Sequence, residues 1–234
     1  MIIIGEKYSD ILKNPLEKQG FEVELLPKNP DVAGNLSGHA DLSLFYDGAG
    51  EIWAAEYLKG SELAEKLSSI GYRIHFCTKP QGSVYPADVQ LNLRVAGNSF
   101  FYNPATAECA IAEHLMHDLG KKPIPVKQGY TACSTLYIAE NAIITADRGI
   151  LTAGLVNGYD VLYISEGYIQ LPGYDHGFIG GCAFPAGDGR IAFTGSLTLH
   201  PDREKILAFL AKYAAEPVFL TDFPVFDIGG AINV

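Results

Sequence analysis

With 234 residues, 48% of them hydrophobic and 19% charged, the chain has ample material for a substantial core. Its formal net charge of −10 and lack of clustered Lys and Arg exclude a phosphate backbone as the default partner, and favour a cationic small molecule if there is a ligand. The opening Met1-Ile2-Ile3-Ile4-Gly5-Glu6 is too short and has no basic flank for a signal peptide or a membrane span. Four cysteines, at 77, 109, 133 and 182, make no Cys-x-x-Cys pair, so free thiols and a cytoplasmic location are expected.

Met1 to Gly5 reads as a strand. Asn14-Pro15-Leu16-Glu17 predicts a helix start, with Asn as cap and Pro in the first turn, stopped at Gly20. Phe21 to Leu26 alternates like a strand, and 27–37 is a loop without periodicity. Asp41 to Tyr46 then reads as a strand, Asp47-Gly48 as a hairpin turn, and Glu51 to Ala55 as the returning strand. Ser61 caps a helix with Leu63, Leu67 and Ile70 on one face, and Tyr72 to Phe76 is a third strand. The order is strand, strand, helix, strand.

That order recurs. The second unit has strands from Asp88 to Val95 and at 100–102, a helix over 106–119 and a strand over 124–127. The third has 134–138, 142–145, a helix over 148–156 and 161–165. The fourth has 182–184, 190–194, a helix opened by Pro201-Asp202-Arg203-Glu204, and 217–221. The fifth begins at Gly229 and runs to Val234, so its remaining parts must come from Met1 to Leu26.

A polar slot opens each unit: Gly38-His39-Ala40-Asp41, Asp88 to Asn92, Cys133 to Tyr137, Gly180-Gly181-Cys182 and Gly229-Gly230-Ala231. Taking Asp41, Asp88, Cys133, Cys182 and Ala231 as equivalent, the steps are 47, 45, 49 and 49 residues, the mark of a repeat architecture. The units are about 38–84, 85–128, 129–176, 177–226, and 227–234 completed by 1–37, in one domain. Pairing of the two termini would close the ring and leave no open sheet edge.

Five strand-strand-helix-strand units of this size, with His39-Ala40-Asp41 similar to a His-x-Asp motif and Gly-Gly at 180–181 and 229–230, resemble the pentein superfamily. Its members include arginine deiminases, dimethylarginine dimethylaminohydrolases, amidinotransferases and the non-catalytic ribosome anti-association initiation factor, and the chain looks closest to an uncharacterised bacterial group. The resemblance implies an α/β fold, a five-fold pseudosymmetric α/β propeller closed by the N- and C-terminal strands. It also implies a cysteine-dependent hydrolase or amidinotransferase acting on a guanidine-type C–N bond; no cofactor and no metal is expected. The deiminases carry their nucleophile near the C-terminus, but Gly229 to Val234 holds no Cys, so that role falls to Cys182 or Cys133. Cys182 is favoured slightly for its two preceding glycines. His39 would serve as acid/base, with Asp41, Asp88, Gln90, Asn233 and His176 around the substrate.

Each assignment has a plainer alternative. Cys is among the most often buried residues, and His39, Asp41 or Asp88 can simply cap turns. Glu113-His114-x-x-His117-Asp118 has metal-like spacing, but falls opposite Ile111, Leu115 and Leu119 and reads as a solvated face. Gly167 to Gly181 reads as a lid or an ordinary long loop. An active thiol should titrate below the usual value of about 8.5, with Asp41 and Asp88 opposing it until a cation neutralises them. Without the chemistry, the same fold would be a binding protein that uses its rim for a partner, or one that holds a metal or small molecule through Cys133 and Cys182, its oligomeric state open.

Overall fold

The middle strand of every unit is apolar along most of its length, and this decides the architecture. A computed structural model of the protein, which describes residues 1–234, contains five three-stranded sheets. In chain order these use β1 (Ile2–Gly5), helix α1 (Ser9–Lys18) and β2 (Val23–Leu26); then β3 (Leu44–Tyr46), β4 (Glu51–Ala54), α2 (Glu62–Ser69) and β5 (Arg73–Phe76). Next come β6 (Arg94–Ala96), β7 (Ser99–Tyr102), α3 (Cys109–His117) and β8 (Lys122–Pro125). The third full unit has the helical turn α4 (Thr131–Ser134), β9 (Thr135–Ala139), β10 (Ala142–Thr145), α5 (Arg148–Val156) and β11 (Asp160–Tyr163). The fourth has the turn α6 (Ile179–Cys182), β12 (Ala183–Gly187), β13 (Arg190–Phe193), α7 (Arg203–Lys212) and β14 (Glu216–Phe219), and β15 (Ile232–Asn233) ends the chain.

In each sheet the first strand pairs antiparallel with the middle one, and the middle one pairs parallel with the third. A parallel pair needs a crossover, and the five longer helices are those crossovers. The middle strands, such as Ile2-Ile3-Ile4 and Phe100-Phe101, are buried on both faces, which is why they are continuously apolar. Five clusters of the core each join two neighbouring units. Ile3 and Leu26 meet Leu44 and Ile52, Phe45 and Trp53 meet Phe100 and Ile111, and Phe101 meets Ile143 and Ile150. Leu136 and Ile144 meet Phe193 and Ile206, while Phe184 and Ala192 meet Ile2 and Leu12.

The chain ends share a sheet, with Ile2 opposite Asn233 and Ile3 opposite Ile232, and the Met1 ammonium donates to the Val234 carbonyl over 2.8 Å. Deleting Ile232 to Val234 strips that ladder and uncovers Ile3. The truncated chain should melt several degrees lower, since about 1 kcal/mol moves the midpoint of a domain this size by about 2–4 °C; an unchanged melting temperature would show that the pairing contributes nothing.

Three sequence expectations change. The first helix starts at Ser9, with Pro15 inside it, because Tyr8, Leu12 and Leu16 form the buried stripe. Burying two full Leu side chains, at roughly 1.5–3 kcal/mol each, offsets the ~3 kcal/mol penalty of an interior Pro. Next, the polar slots are not strand residues. Ala40–Leu42 is a 3-10 turn, 88–92 is turn, and α4 and α6 are single turns, so strands begin only after the slot. Finally, His114 does not lie on a solvated face. Its Nε2 is 3.0 Å from Asp47 Oδ2, its Nδ1 is 2.8 Å from Asp118, and its ring packs 4.8 Å from Trp53, tying the second unit to the hairpin turn of the first.

Candidate functional site

Gly229 lets the chain cross directly over the His-x-Asp turn. Its φ is +72°, and a Cβ there would sit 2.3 Å from the His39 Cβ. The Gly229 carbonyl accepts the Asp41 N–H over 3.2 Å, fixing the turn that carries His39 and Asp41. Asn92, which closes the second unit's slot, ties this turn to the third unit. Its Oδ1 accepts from the Ala132 and Cys133 N–H groups at 2.7 and 3.2 Å, and its Nδ2 donates to the Asp41 carbonyl at 3.2 Å.

These contacts bring Cys133 against Asp41, the Sγ 2.7 Å from Asp41 Oδ2. A His39 nitrogen, an Asp41 oxygen and Cys133 Sγ all lie within 4.8 Å of one another, and all three residues are buried. His39 Nδ1 is 3.9 Å from Asp227 Oδ1, while His39 Nε2 and Asp41 Oδ1 have no hydrogen-bond partner. Asp227 is locked in place, accepting the Phe178 and Gly229 N–H groups at 2.8 Å each.

His39, Cys133 and Asp227 open on a cavity of about 230 Å³ walled by Tyr130, Tyr174 and Phe178. Tyr130 and Phe178 stack at 6.0 Å. The space is below the ~300–1,000 Å³ of pockets for drug-sized ligands, so it suits a small molecule. Asp175 and His176 from the loop after β11 complete the wall, and His176 Nε2 is 3.0 Å from Glu166. That loop forms one side of the site, as a lid would.

Burial dominates the electrostatics. It lowers the His39 pKa to about 3, aided by Lys7, so the imidazole is neutral. It raises Asp41 to about 7, against the hydrogen bonds from Cys133 and Asn92 and the pull of Arg94, and raises Asp227 to about 6. Cys133 is pushed well above the ordinary thiol value by burial, then by the Asp41 and Asp227 charges. The expected depressed thiol is therefore not the resting state. The carboxylates foreseen as opposing it do so, with Asp227 in the place given to Asp88.

The remaining candidates lie apart. Cys182 is fully buried in the apolar cluster between the third and fourth units, its Sγ 3.5 Å from the Ile179 carbonyl, and it lines neither this cavity nor the one beside Asp41. Its glycines serve neighbours instead: a Cβ on Gly180 would strike the Ala132 carbonyl at 2.3 Å, and one on Gly181 would strike Asp227 Oδ1 at 2.0 Å. Asp88 accepts the Tyr130 hydroxyl and so steadies the cavity wall from behind. Gln90 donates to the Lys79 carbonyl at 3.2 Å, and Asn233 is exposed beside Pro185. Asp227 and Asn92 escaped the sequence reading. The signal for Asp227 was its place just before Gly229-Gly230, four residues ahead of the aligned slot position Ala231.

These shifts predict a pH dependence of stability. Asp41 binds its proton more tightly folded (about 7) than unfolded (3.8), so its contribution is full below about 3.8 and is lost as pH rises through 7, at roughly 1.4 kcal/mol per pH unit. His39 acts oppositely, its contribution present above 6.5 and lost as pH falls toward 3. Urea unfolding of Asp41→Asn from pH 4 to 8 should show a flatter decline with pH than the unsubstituted protein; parallel curves would contradict the raised carboxyl.

Solved structures with this architecture include a dimethylarginine dimethylaminohydrolase from Pseudomonas aeruginosa complexed with citrulline (11% identity, TM-score 0.59, 98% of this chain and 95% of that chain). Others are an inosamine-phosphate amidinotransferase from Streptomyces griseus (13%, TM-score 0.61, 98% and 79%) and an amidinotransferase from Microseira wollei in the saxitoxin biosynthetic pathway (10%, TM-score 0.56, 98% and 81%). At such identities the likeness establishes the fold alone. Among curated proteins nothing matches. No helix is long and apolar enough to cross a membrane. A family model does match, over residues 3–232. The chain thus has the pentein fold, that of guanidino-modifying enzymes, and belongs to the family described as "Family of unknown function (DUF6873)".

Proposed function

We propose that the protein is a cysteine-dependent enzyme acting on a C–N bond of a small guanidine-type cation, with Cys133 as nucleophile. The observation that carries this reading is the meeting of Cys133, His39 and Asp41 within 4.8 Å, with Cys133 and His39 on an aromatic-walled cavity that also holds Asp227. The five sheets are read as blades of a closed propeller around this site, supported by the core clusters that join each unit to the next.

Asp227 keeps lone pairs free after its two backbone bonds and can take paired N–H groups from a planar guanidinium, while Tyr130 and Phe178 offer ring faces to the cation. The sulfur gives up its proton and forms a bond to the guanidinium carbon, a C–N bond breaks, and the departing nitrogen takes a proton relayed from solvent by His39. Water or an acceptor amine then displaces the sulfur. A bound cation lowers the cost of a thiolate beside two carboxylates, so the thiol becomes reactive when the site is filled. The substituent on the guanidine, and hydrolysis against transfer, depend on the loop bearing Tyr174 to His176.

The resting site, with a neutral imidazole and a protonated thiol, also fits a non-catalytic binding protein of the same fold. A panel of guanidines, amines and carboxylates decides between them, read by thermal shift and by release of ammonia or amine. Stabilisation and release with guanidines supports the enzyme, and stabilisation without release supports binding alone. Stronger stabilisation by carboxylates than by guanidines would overturn the cation site.

A further inference from the structure

Asp41 belongs to two cavities at once, through its bond on one side and its surface on the other. Its Oδ2 accepts the Cys133 thiol, and Cys133 lines the aromatic cavity. Asp41 itself lines a different cavity of about 320 Å³, which shares no residue with the first and is formed by the first strands, Arg94, Tyr137 and Gly229-Gly230. Its Oδ1 is buried and unpartnered. The Arg94 Nε, in the same second cavity, is also unpartnered, although Nη2 donates to the Ala132 carbonyl at 2.7 Å. Two orphaned buried polar atoms of opposite character, on residues lining one roomy cavity that is otherwise largely apolar, are where ordered water sits.

We infer that Asp41 is the general base for Cys133, its carboxylate taking the thiol proton on Oδ2 as sulfur attacks and then passing that same proton to water in the second cavity. The inference rests on Cys133 being the nucleophile. The S–H bond breaks as the new S–C bond forms, leaving a neutral carboxyl protonated on Oδ2; a half-turn about χ2 carries that proton to the side facing the second cavity, where water takes it and the carboxylate is restored. The proton exit therefore remains open when a ligand fills the aromatic cavity. Arg94 is a positioning residue, whose charge favours the ionised form of Asp41 against burial and the Asp227 charge. The groups facing Asp41 are His39, Cys133, Asp227, Arg94 and the Tyr8 hydroxyl, and among them only Arg94 is a fixed cation. Burial raises Asp41 to about 7, where an acid can both take and return a proton near neutral pH.

Alkylation of the full chain by iodoacetamide tests this without any substrate, so its outcome is separate from whether guanidines are turned over. Labelling of Cys133 is followed by peptide mass from pH 5 to about 10.5, in H₂O and D₂O, with buried Cys182 as internal control. If Asp41 merely repels a thiolate, Asp41→Asn accelerates labelling. If it is the base, Asp41→Asn slows it about 100-fold. The unsubstituted protein should then show an inflection near pH 7 and a solvent isotope effect of about 2. Arg94→Gln should move that inflection to higher pH, and Arg94→Lys should restore it. Equal or faster labelling of Asp41→Asn overturns the assignment. Should that variant fail to fold, a single inflection above pH 9 with no isotope effect in the unsubstituted protein overturns it as well, and an inflection unmoved in Arg94→Gln removes Arg94 from the scheme.

Discussion

Cys133→Ala is expected to abolish release of ammonia or amine from any guanidine the protein turns over, by more than about 1,000-fold, while Cys182→Ala leaves the rate within a few-fold. The two thiols look alike in sequence, each at the same point of a repeat. Their surroundings differ. Cys133 meets Asp41 at 2.7 Å and opens on the cavity beside His39, whereas Cys182 has apolar neighbours and one carbonyl 3.5 Å away. Burial raises both thiols, but only Cys133 has an acceptor placed to receive its proton. Cys182→Ala should instead lower stability by roughly 1–2 kcal/mol, as removal of a small buried side chain does. Steady-state rates and urea midpoints of the two variants separate these effects. Activity surviving in Cys133→Ala but lost in Cys182→Ala would reverse the assignment.

Gly181→Ala is expected to cost about 2–4 kcal/mol and to weaken ligand binding, although it adds one methyl group. The new Cβ would lie 2.0 Å from Asp227 Oδ1. Asp227 cannot step aside cheaply, because its two oxygens hold the N–H groups of Phe178 and Gly229, and the Gly181 carbonyl itself accepts from Ile228 and Gly230. The strain would pass to His39, 3.9 Å from the same carboxylate. Gly34→Ala is the control, at an exposed position with nothing near the added methyl and no positive φ. Denaturation midpoints compare them directly. If Gly181→Ala is as stable as Gly34→Ala, Asp227 does not occupy the place described.

Much of this molecule was legible along the chain. The apolar middle strands, the Ser61 cap, the Asp47-Gly48 turn and the helix from Arg148 to Val156 appear as read, because each is set by neighbours a few residues away. The sharing of one sheet by Ile3 and Ile232 was also legible, since the repeat leaves the last unit incomplete without the first residues. The site was legible only in part. His39, Asp41 and Cys133 were named, and equivalence of the repeats placed them on a common axis. Equivalence could not rank Cys133 over Cys182, because the polar slots are turns whose side chains point where the next unit's turn allows. Nor could it find Asp227, Asn92 or Arg94, which act on residues 188, 41 and 53 positions away in sequence, as with Asp227 on His39, Asn92 on Cys133 and Arg94 on Asp41. Sequence spacing fixes which residues recur at the start of each unit. Which of them meet, which are sealed in the core and which are left without a partner depends on how five turns pack together, and only the tertiary structure decides that.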